Sequence, residues 1–295
     1  MTPQLSIIVI SFNTKDLTLA CLDSVKECVL AQHEIIVVDN ASHDGSIEAL
    51  KKRKDITLIV NKKNMGFAAA NNQGMKKAKG EYILLLNSDT LLTEDSVSPV
   101  IEYMKANPKV GIATCTLKNR DGSLQPSGGK FPSVIRTVLW LLLLDDIPLV
   151  HQLVGSFHPK SEYFLNSHEQ DWVTGAFFLL RREVVNAIGP MDEHYFMYSE
   201  EMDYCYRAKQ KGWKVYFLST HSIIHYGGAS SNKEYAILSE LKGIRTFYKK
   251  HYGAFAQAIL TGSLFLGMIE RTVLFFLLGR RSDAKIYAKA LSQVL

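Results

Sequence analysis

The chain has 295 residues, with 34 Lys+Arg against 29 Asp+Glu, a formal net charge of +5, 47% hydrophobic and 21% charged residues. Those proportions exclude a disordered or fibrous chain. A chain of this length buries about three-quarters of its unfolded surface, so no disulfide or metal is needed to hold it. The four cysteines, Cys21, Cys28, Cys115 and Cys205, form no CxxC pair and read as buried thiols in a reducing compartment.

The sequence starts at Met1 to Gln4 and runs at once into the apolar Leu5 to Ile10, with no basic leader and too few apolar residues for a secretory signal. That predicts a cytoplasmic protein. Leu5 to Ile10, Glu34 to Val38, Ile56 to Val60 and Tyr82 to Leu86 are short β-branched or aliphatic runs bounded by polar turns, the pattern of buried strands. Helical patterns lie between them: Lys15 to Val29 after a candidate N-cap at Asn13, Ser46 to Arg53 after the turn Asp44-Gly45, and Ala68 to Lys79 ending at Gly80. This alternation predicts an α/β fold with a mostly parallel sheet flanked by helices.

A helix over Glu94 to Asn107 and a strand over Val110 to Thr114 follow. The stretch Asn119 to Gly129 is rich in turn formers. Order returns with Trp172 to Arg181, helices over Arg182 to Ile188 and about Glu200 to Lys211, and a strand over Lys214 to Phe217.

In parallel sheets, ligands bind beyond the carboxyl ends of the strands. Four positions there merit attention: Ser11 to Asn13, Asp39 with Asn40, Asn61 to Phe67, and Asn87 to Asp89. Neither GxxxxGK[ST] nor GxGxxG occurs, so no Gly-rich loop of those kinds cradles a phosphate. Asp89, in LLLNSDT, could hold a divalent cation bridging a diphosphate, or could simply form a polar turn. Asp39, in IIVVDNASHDGS, could accept a hydrogen bond from the ring N–H of uracil or thymine, although an Asp at a strand end forms turns as readily.

The segment FMYSEEMDYCYR places Glu200, Glu201 and Asp203 in the first turn of a helix, where the macrodipole favours acids. The neighbouring Tyr195, Phe196 and Tyr198 supply an apolar wall that raises a carboxyl pKa toward the range of a general base. His225, in IIHYGGASS, follows a strand-like run and precedes paired glycines, a setting for a loop ligand.

Lys242 to Leu295 holds nine Lys/Arg and two acids, a local charge of +7 that leaves −2 for the rest. Its apolar runs, Phe255 to Ile269 and Val273 to Leu278, are too greasy for a nucleic-acid arm, which argues against nucleic acid as a partner. The longest uncharged stretch, Gly253 to Ile269, is cut by Glu270 and Arg271 and falls short of the ~20 apolar residues of a spanning helix. The pattern suits a helix lying on an anionic membrane surface, with Val138 to Leu144 as a second contact. Core helices or a dimer interface are the alternative readings, and a homo-oligomer stays open.

Taken in order, SIIVISFN at Ser6, VVDNASHDGS at Val37, NMGFAAANNQG at Asn64, LLLNSDT at Leu84, WVTGA at Trp172, FMYSEEMDYCYRAKQKGW at Phe196 and HYGGASS at His225 resemble the inverting family-two glycosyltransferases with the GT-A fold. The likeness is to the bacterial rhamnosyltransferase-like branch and runs from Leu5 to about Ser231. It implies a Rossmann-like catalytic domain over residues 1–240, with a nucleotide-sugar half to about 115 and an acceptor half from about 116, followed by a basic, apolar helical tail over 241–295.

The resemblance further implies a role for each matching position. Asp39 would recognise the base, while Ser11, Asn13, Asn64, Gly66, Phe67, Asn87 and Ser88 would line the donor pocket. Asp89 and His225 would hold Mg²⁺ or Mn²⁺, with Asn87 where the family's DXD motif often has Asp. Trp172 and Gly175 would shape the acceptor side. The family's ED pair reads Glu200-Glu201 here, which makes Glu201 the expected base, with Glu200 beside it and Asp203 as a substitute. The implied reaction transfers rhamnose or a related hexose from a dTDP- or UDP-linked donor to a glycan or polyprenyl-diphosphate-linked acceptor, by single-displacement inversion at the inner face of the cell membrane. A non-catalytic, membrane-associated protein with the same fold is the competing reading. A nucleotidyltransferase gives the last two motifs no role.

Overall fold

Aliphatic runs that can be buried on both faces form the central strands, and the half-apolar stretches between them form the covering helices. A computed structural model of the chain describes residues 3–227 and 232–294. The first elements are β1 (Leu5–Ser11), α1 (Lys15–Cys28), β2 (His33–Asp39), α2 (Ser46–Lys51), β3 (Thr57–Val60), α3 (Phe67–Lys77), β4 (Tyr82–Asn87), β5 (Thr90–Leu91), α4 (Ser98–Ala106) and β6 (Val110–Lys118). Next come β7 (Leu124–Gln125), β8 (Gly128–Gly129), α5 (Val134–Leu141), α6 (Pro148–Val154), β9 (His168–Glu169), β10 (Trp172–Val173), β11 (Phe177–Arg181), α7 (Arg182–Ile188) and α8 (Glu200–Gln210). The last are β12 (Lys214–His225), α9 (Lys233–His251), α10 (Ala254–Leu277) and α11 (Arg281–Val294). Gly228 to Ser231, the end of the HYGGASS motif, lie outside the described residues.

The main sheet runs β3-β2-β1-β4-β11-β6-β12-β5, with β7 added to β6 and β9 to β12. β1 pairs in parallel with β2 and β4, β2 with β3, and β6 with β12. β11 is antiparallel to both β4 and β6. Two reversals restore the direction, so β6 and β12 point the same way as β1, β2 and β4. The carboxyl ends Ser11, Asp39, Asn87 and His225 therefore share one edge of the sheet. The strand order reverses between β1 and β4, which opens a crevice at that edge.

Both faces of the sheet are covered. Leu5, Ile7, Val9, Ile35, Val37, Leu84, Leu86, Phe177 and Leu179 join one buried cluster with Cys21, Leu22 and Val25 of α1 and Val100, Ile101 and Met104 of α4. Gly74 of α3 meets β1 from another direction, where a Cβ would come within 2.4 Å of Ile8 Cγ2.

Four local expectations are adjusted. Asn13 does not cap α1: its φ of 53° is left-handed, its side chain accepts from the His43 N–H, and the Lys15 N–H is bound by Asp44 instead. α4 starts at Ser98 rather than Glu94, because Asp95 Oδ1 accepts from the N–H groups of Val97 and Ser98 in a turn ahead of the helix. The run from Trp172 to Arg181 is broken at 174–176. There Gly175 makes room for the Phe67 ring, whose Cζ would lie 2.9 Å from a Cβ. Cys28 is only partly buried, whereas the other three cysteines are buried thiols.

Contacts divide the chain into two compact units, Met1–Gly129 with Lys160–Ser230, and Lys130–Pro159 with Ser231–Leu295. In the second unit α10 runs uninterrupted through Glu270 and Arg271. It is long and apolar enough to cross a membrane by length and composition. The stretch expected to be too short is carried past these charges, and Arg271 turns inward. Its guanidinium donates to the Leu141 and Trp140 carbonyls at the end of α5, where helix acceptors lack intrahelical partners. Gly267 allows this approach, since a Cβ there would sit 2.3 Å from the Leu141 oxygen.

Candidate active site

The crevice is assembled from strand ends. At its floor, a chain of buried hydroxyls joins the ends of β1 and β4: Ser11 Oγ accepts from Thr18, Thr18 contacts Thr14 at 3.0 Å, and Thr14 contacts Ser88 at 3.1 Å. Ser11 and Ser88 thus meet through two threonines that no motif singled out. Asn13 ties the loop after β1 to the loop after β2. Its N–H donates to Ser42 Oγ at 2.9 Å and its Oδ1 accepts from His43.

Asp39 is fully buried at the end of β2. Its Oδ1 accepts from the Ser42 N–H at 2.8 Å, whereas its Oδ2 is buried with no hydrogen-bond partner. A buried carboxylate oxygen left unpaired is costly. An N–H donor arriving from a ligand would remove that cost.

Asn40, beside it, organises the loop after β3. Its Nδ2 donates to Asn64 Oδ1 and the Gly66 carbonyl, and its Oδ1 accepts from Asn61 and the Met65 N–H. Asn64 Oδ1 also accepts from the Gly66 N–H, so this amide shapes the loop. Gly66 has φ 85°, and a Cβ there would lie 2.4 Å from the Phe196 carbonyl oxygen. Phe67 donates its N–H to that same oxygen at 2.7 Å. The Asn64–Phe67 loop thereby touches the segment leading into α8.

That segment enters α8 through Tyr198 and Ser199, with φ values of 72° and 74°. Left-handed backbone at a bulky residue is strained, and such strain gathers at functional sites. Glu200 and Glu201 follow at once. Glu201 Oε1 accepts from the Gly175 N–H at 3.4 Å, and the second carboxylate oxygen of each glutamate is buried without a partner. Burial pushes the carboxyl pKa of Glu200 well above the ordinary value, and the neighbouring Glu201 charge adds to the rise. Burial also raises Glu201, against the opposing effect of the Gly175 amide.

Asp203 has a different setting. Its Oδ2 is 2.8 Å from Arg207 Nε, and the same guanidinium donates to the Ile188 and Pro190 carbonyls. This buried ion pair anchors α8 to the end of α7. Trp172 pairs with Gly129 in the β8–β10 ladder. Gly175 lies against the Phe67 ring and donates its N–H to Glu201.

At the far side of β4, pairing of β12 with β5 sets His225 opposite Thr90. His225 Nε2 lies 3.3 Å from Asp89 Oδ1 and 3.3 Å from Asn87 Nδ2, while its Nδ1 lies 2.6 Å from Gln125 Oε1. The Tyr226 N–H donates to the Asp89 carbonyl, which fixes the approach. One carboxylate oxygen and one imidazole nitrogen form a donor set whose chemistry would suit Mg²⁺ or Mn²⁺. Among the described residues no group of three or more His, Cys, Asp or Glu is placed to hold a metal ion.

Comparison with known proteins decides the family. The model for "Glycosyl transferase family 2" matches residues 6–201. The chain belongs to glycosyl transferase family 2.

Among relatives of this family-two chain is the N-acetylglucosaminyl-diphospho-decaprenol L-rhamnosyltransferase of Mycobacterium tuberculosis, 23% identical over 222 residues, which are 68% of each protein. The poly-beta-1,6-N-acetyl-D-glucosamine synthase of Staphylococcus epidermidis is 26% identical over 193 residues, 64% of this chain but 42% of the synthase. Solved structures with the same GT-A fold include the mannosyltransferase PcManGT of Pyrobaculum calidifontis in complex with GDP-Man and Mn²⁺. It has a TM-score of 0.59 and 14% identity, covering 100% of this chain and 87% of that one. S. aureus TarS matches with a TM-score of 0.56 and 15% identity, covering 89% of this chain and 43% of that one. The glycosyltransferase assignment expected from the motifs stands, as does the mostly parallel α/β sheet with helices at the C-terminus.

Proposed function

We propose that this family-two protein transfers a deoxyhexose or hexose, rhamnose foremost, from a dTDP- or UDP-linked donor to a glycan or polyprenyl-diphosphate-linked acceptor, with inversion at the anomeric carbon. The observation that carries the reading is the convergence of strand ends. Asp39 with its free oxygen, the Asp89–His225 pair and the start of β11 beside Glu201 all stand at one edge of one sheet. The rhamnosyltransferase relative supports the choice of sugar and of a lipid-linked acceptor.

Each residue then has a task. Asp39 Oδ2 accepts the ring N–H of a pyrimidine base, which would favour uracil or thymine. Asp89 and His225 would hold Mg²⁺ or Mn²⁺. Bound there with the donor, the cation supplies positive charge against the departing diphosphate. Glu201 takes the proton of the acceptor hydroxyl. Its raised pKa makes it a stronger base than an exposed glutamate, and the Gly175 amide orients it. Glu200 sits behind it, and Asp203 acts as the anchor of α8 rather than as a base. Residues 1–240 form the catalytic part in this reading, and the sequence after 240 supplies a membrane-facing tail.

The second unit supports attachment to a membrane surface. On α10, Leu260, Leu264, Gly267, Met268 and Arg271 are buried, whereas Phe265, Leu266, Val273, Phe276 and Leu277 are exposed. A helix with one face packed and an inward arginine fits an interfacial position better than a spanning one. The exposed Lys249, Lys250, Arg280, Arg281, Lys285 and Lys289 add basic charge that favours an anionic leaflet, the inner face of the cell membrane in this reading.

The test is a panel of nucleotide sugars assayed for transfer and hydrolysis, with and without Mg²⁺ or Mn²⁺. Turnover of a pyrimidine-nucleotide sugar that disappears in Asp89→Ala is the expected result. Absence of donor binding at millimolar concentration, with Asp89→Ala behaving like the parent, would overturn the reading and leave the non-catalytic alternative.

A further inference from the structure

The hairpin between β6 and β7 carries a directed series of hydrogen bonds that ends on His225. Asp121 Oδ1 accepts from the Ser123 hydroxyl at 2.6 Å and from the Ser123 N–H at 3.0 Å. With its proton committed to Asp121, Ser123 Oγ can only accept from Asn119 Nδ2, at 2.9 Å. That turns Asn119 Oδ1 toward Gln125, whose Nε2 donates to it at 2.9 Å. Gln125 therefore presents Oε1, a pure acceptor, to His225 Nδ1 at 2.6 Å. A ring nitrogen facing a pure acceptor must carry the proton.

The other ring nitrogen follows. With Nδ1 protonated, a neutral His225 has a lone pair on Nε2, and that lone pair faces Asp89 Oδ1 at 3.3 Å with the Asn87 amide alongside. The Asn87 Nδ2–H can donate to that lone pair, but the Asp89 oxygen beside it faces Nε2 acceptor to acceptor, a contact that positive charge between them would make favourable. The opposite tautomer would instead let Nε2–H donate to Asp89 and close the pair against a cation.

We propose that Gln125, set in turn by Asn119, Ser123 and Asp121, is a positioning residue that holds His225 as its Nδ1–H tautomer and so presents the Nε2 lone pair to a divalent cation shared with Asp89. The role of the cation rests on the functional reading above, whereas the tautomer does not. Ligating histidines commonly need such a partner on the second nitrogen, and its loss weakens metal affinity by roughly 10- to 100-fold.

The experiment is long-range ¹H–¹⁵N NMR of the full chain labelled at histidine, without metal, at about pH 8 where an ordinary imidazole is neutral. His225 is assigned by comparison with His225→Asn. The parent should show the Nδ1–H pattern. Gln125→Met, similar in length but without the amide, should shift His225 toward Nε2–H, and Gln125→Glu should restore the parent pattern. Asn119→Leu, which frees the Gln125 amide to turn over, should give a mixture. Should His225 keep the same tautomer in Gln125→Met and Asn119→Leu, with both variants folded, the proposal is overturned.

A second readout is Mn²⁺ binding by electron paramagnetic resonance with UDP present. Binding should weaken roughly 10- to 100-fold in Gln125→Met and recover in Gln125→Glu. Unchanged Mn²⁺ affinity in Gln125→Met would overturn the link to the cation. Failure of the parent itself to bind Mn²⁺, with the tautomer shift intact, would count against the metal assignment and leave the positioning role standing.

Discussion

Glu200 and Glu201 are adjacent acids placed behind two residues with left-handed backbone, and burial raises both carboxyl pKa values. They titrate as a pair, so the rate should climb with pH through an apparent pKa above the ordinary 4.5. Glu201→Gln should lower kcat by roughly 100- to 10,000-fold while donor binding persists, as measured by steady-state kinetics and calorimetry. Glu200 makes a separate prediction about stability. The folded chain holds its proton more tightly than the unfolded chain does. Its contribution is thus complete below the unfolded value near 4.5 and is lost as pH rises through the higher folded value. Glu200→Gln should therefore flatten the fall in melting temperature above about pH 5, and an unchanged profile would contradict this. Asp39→Ala, which removes the acceptor of the base, should raise the donor KM by roughly 10- to 100-fold. The places of Asp39 and Asp89 at the ends of buried strands were legible in the sequence because the aliphatic runs before them mark those strands. Gln125 was not legible, and of Asn40 only the place was, not the network it makes. Gln125 links Asn119, 6 positions away, to His225, 100 positions away, and Asn40 binds residues 21 to 26 positions away, so only folding brings these partners together.

Elements were read well where apolar period and length agreed, as in the first four strands and the helices between them. The misreadings have local causes. A side chain from a distant loop, Asp44, replaced the expected cap of α1. Asp95 delayed α4 by forming its own turn. The apolar stretch in α10 was read as cut at Glu270 and Arg271 and so too short to span, because a charge in an apolar run reads as a boundary unless its partner is known. The Leu141 and Trp140 carbonyls are that partner. The entry to α3 offers a test at this scale. Gly66→Ala needs a left-handed backbone and pushes a Cβ against the Phe196 carbonyl, so it should cost about 1–3 kcal/mol in urea unfolding. It should also reduce donor affinity, because Asn64 and Phe67 are set by the same turn.

For the molecule as a whole, the basic charge concentrated after residue 241 and the apolar exposure of α10 make one joint prediction. Phe276→Ser with Leu277→Ser should weaken sedimentation with anionic vesicles by roughly 10-fold or more at unchanged net charge. Raised salt should weaken binding of the parent further by screening the lysines. Equal sedimentation of parent and variant would remove α10 from the membrane contact. The β8–β10 ladder carries a different consequence. Gly128 and Gly129 lie opposite Val173 and Trp172, so the polypeptide departs from the cleft and rejoins it at one clasped point, just before Gly175. Whatever is spliced between those two short strands leaves the register of β4 and β11 untouched. Replacing that whole stretch would still reach β12 and α10, because β9 within it pairs with β12 and its α5 carbonyls hold Arg271.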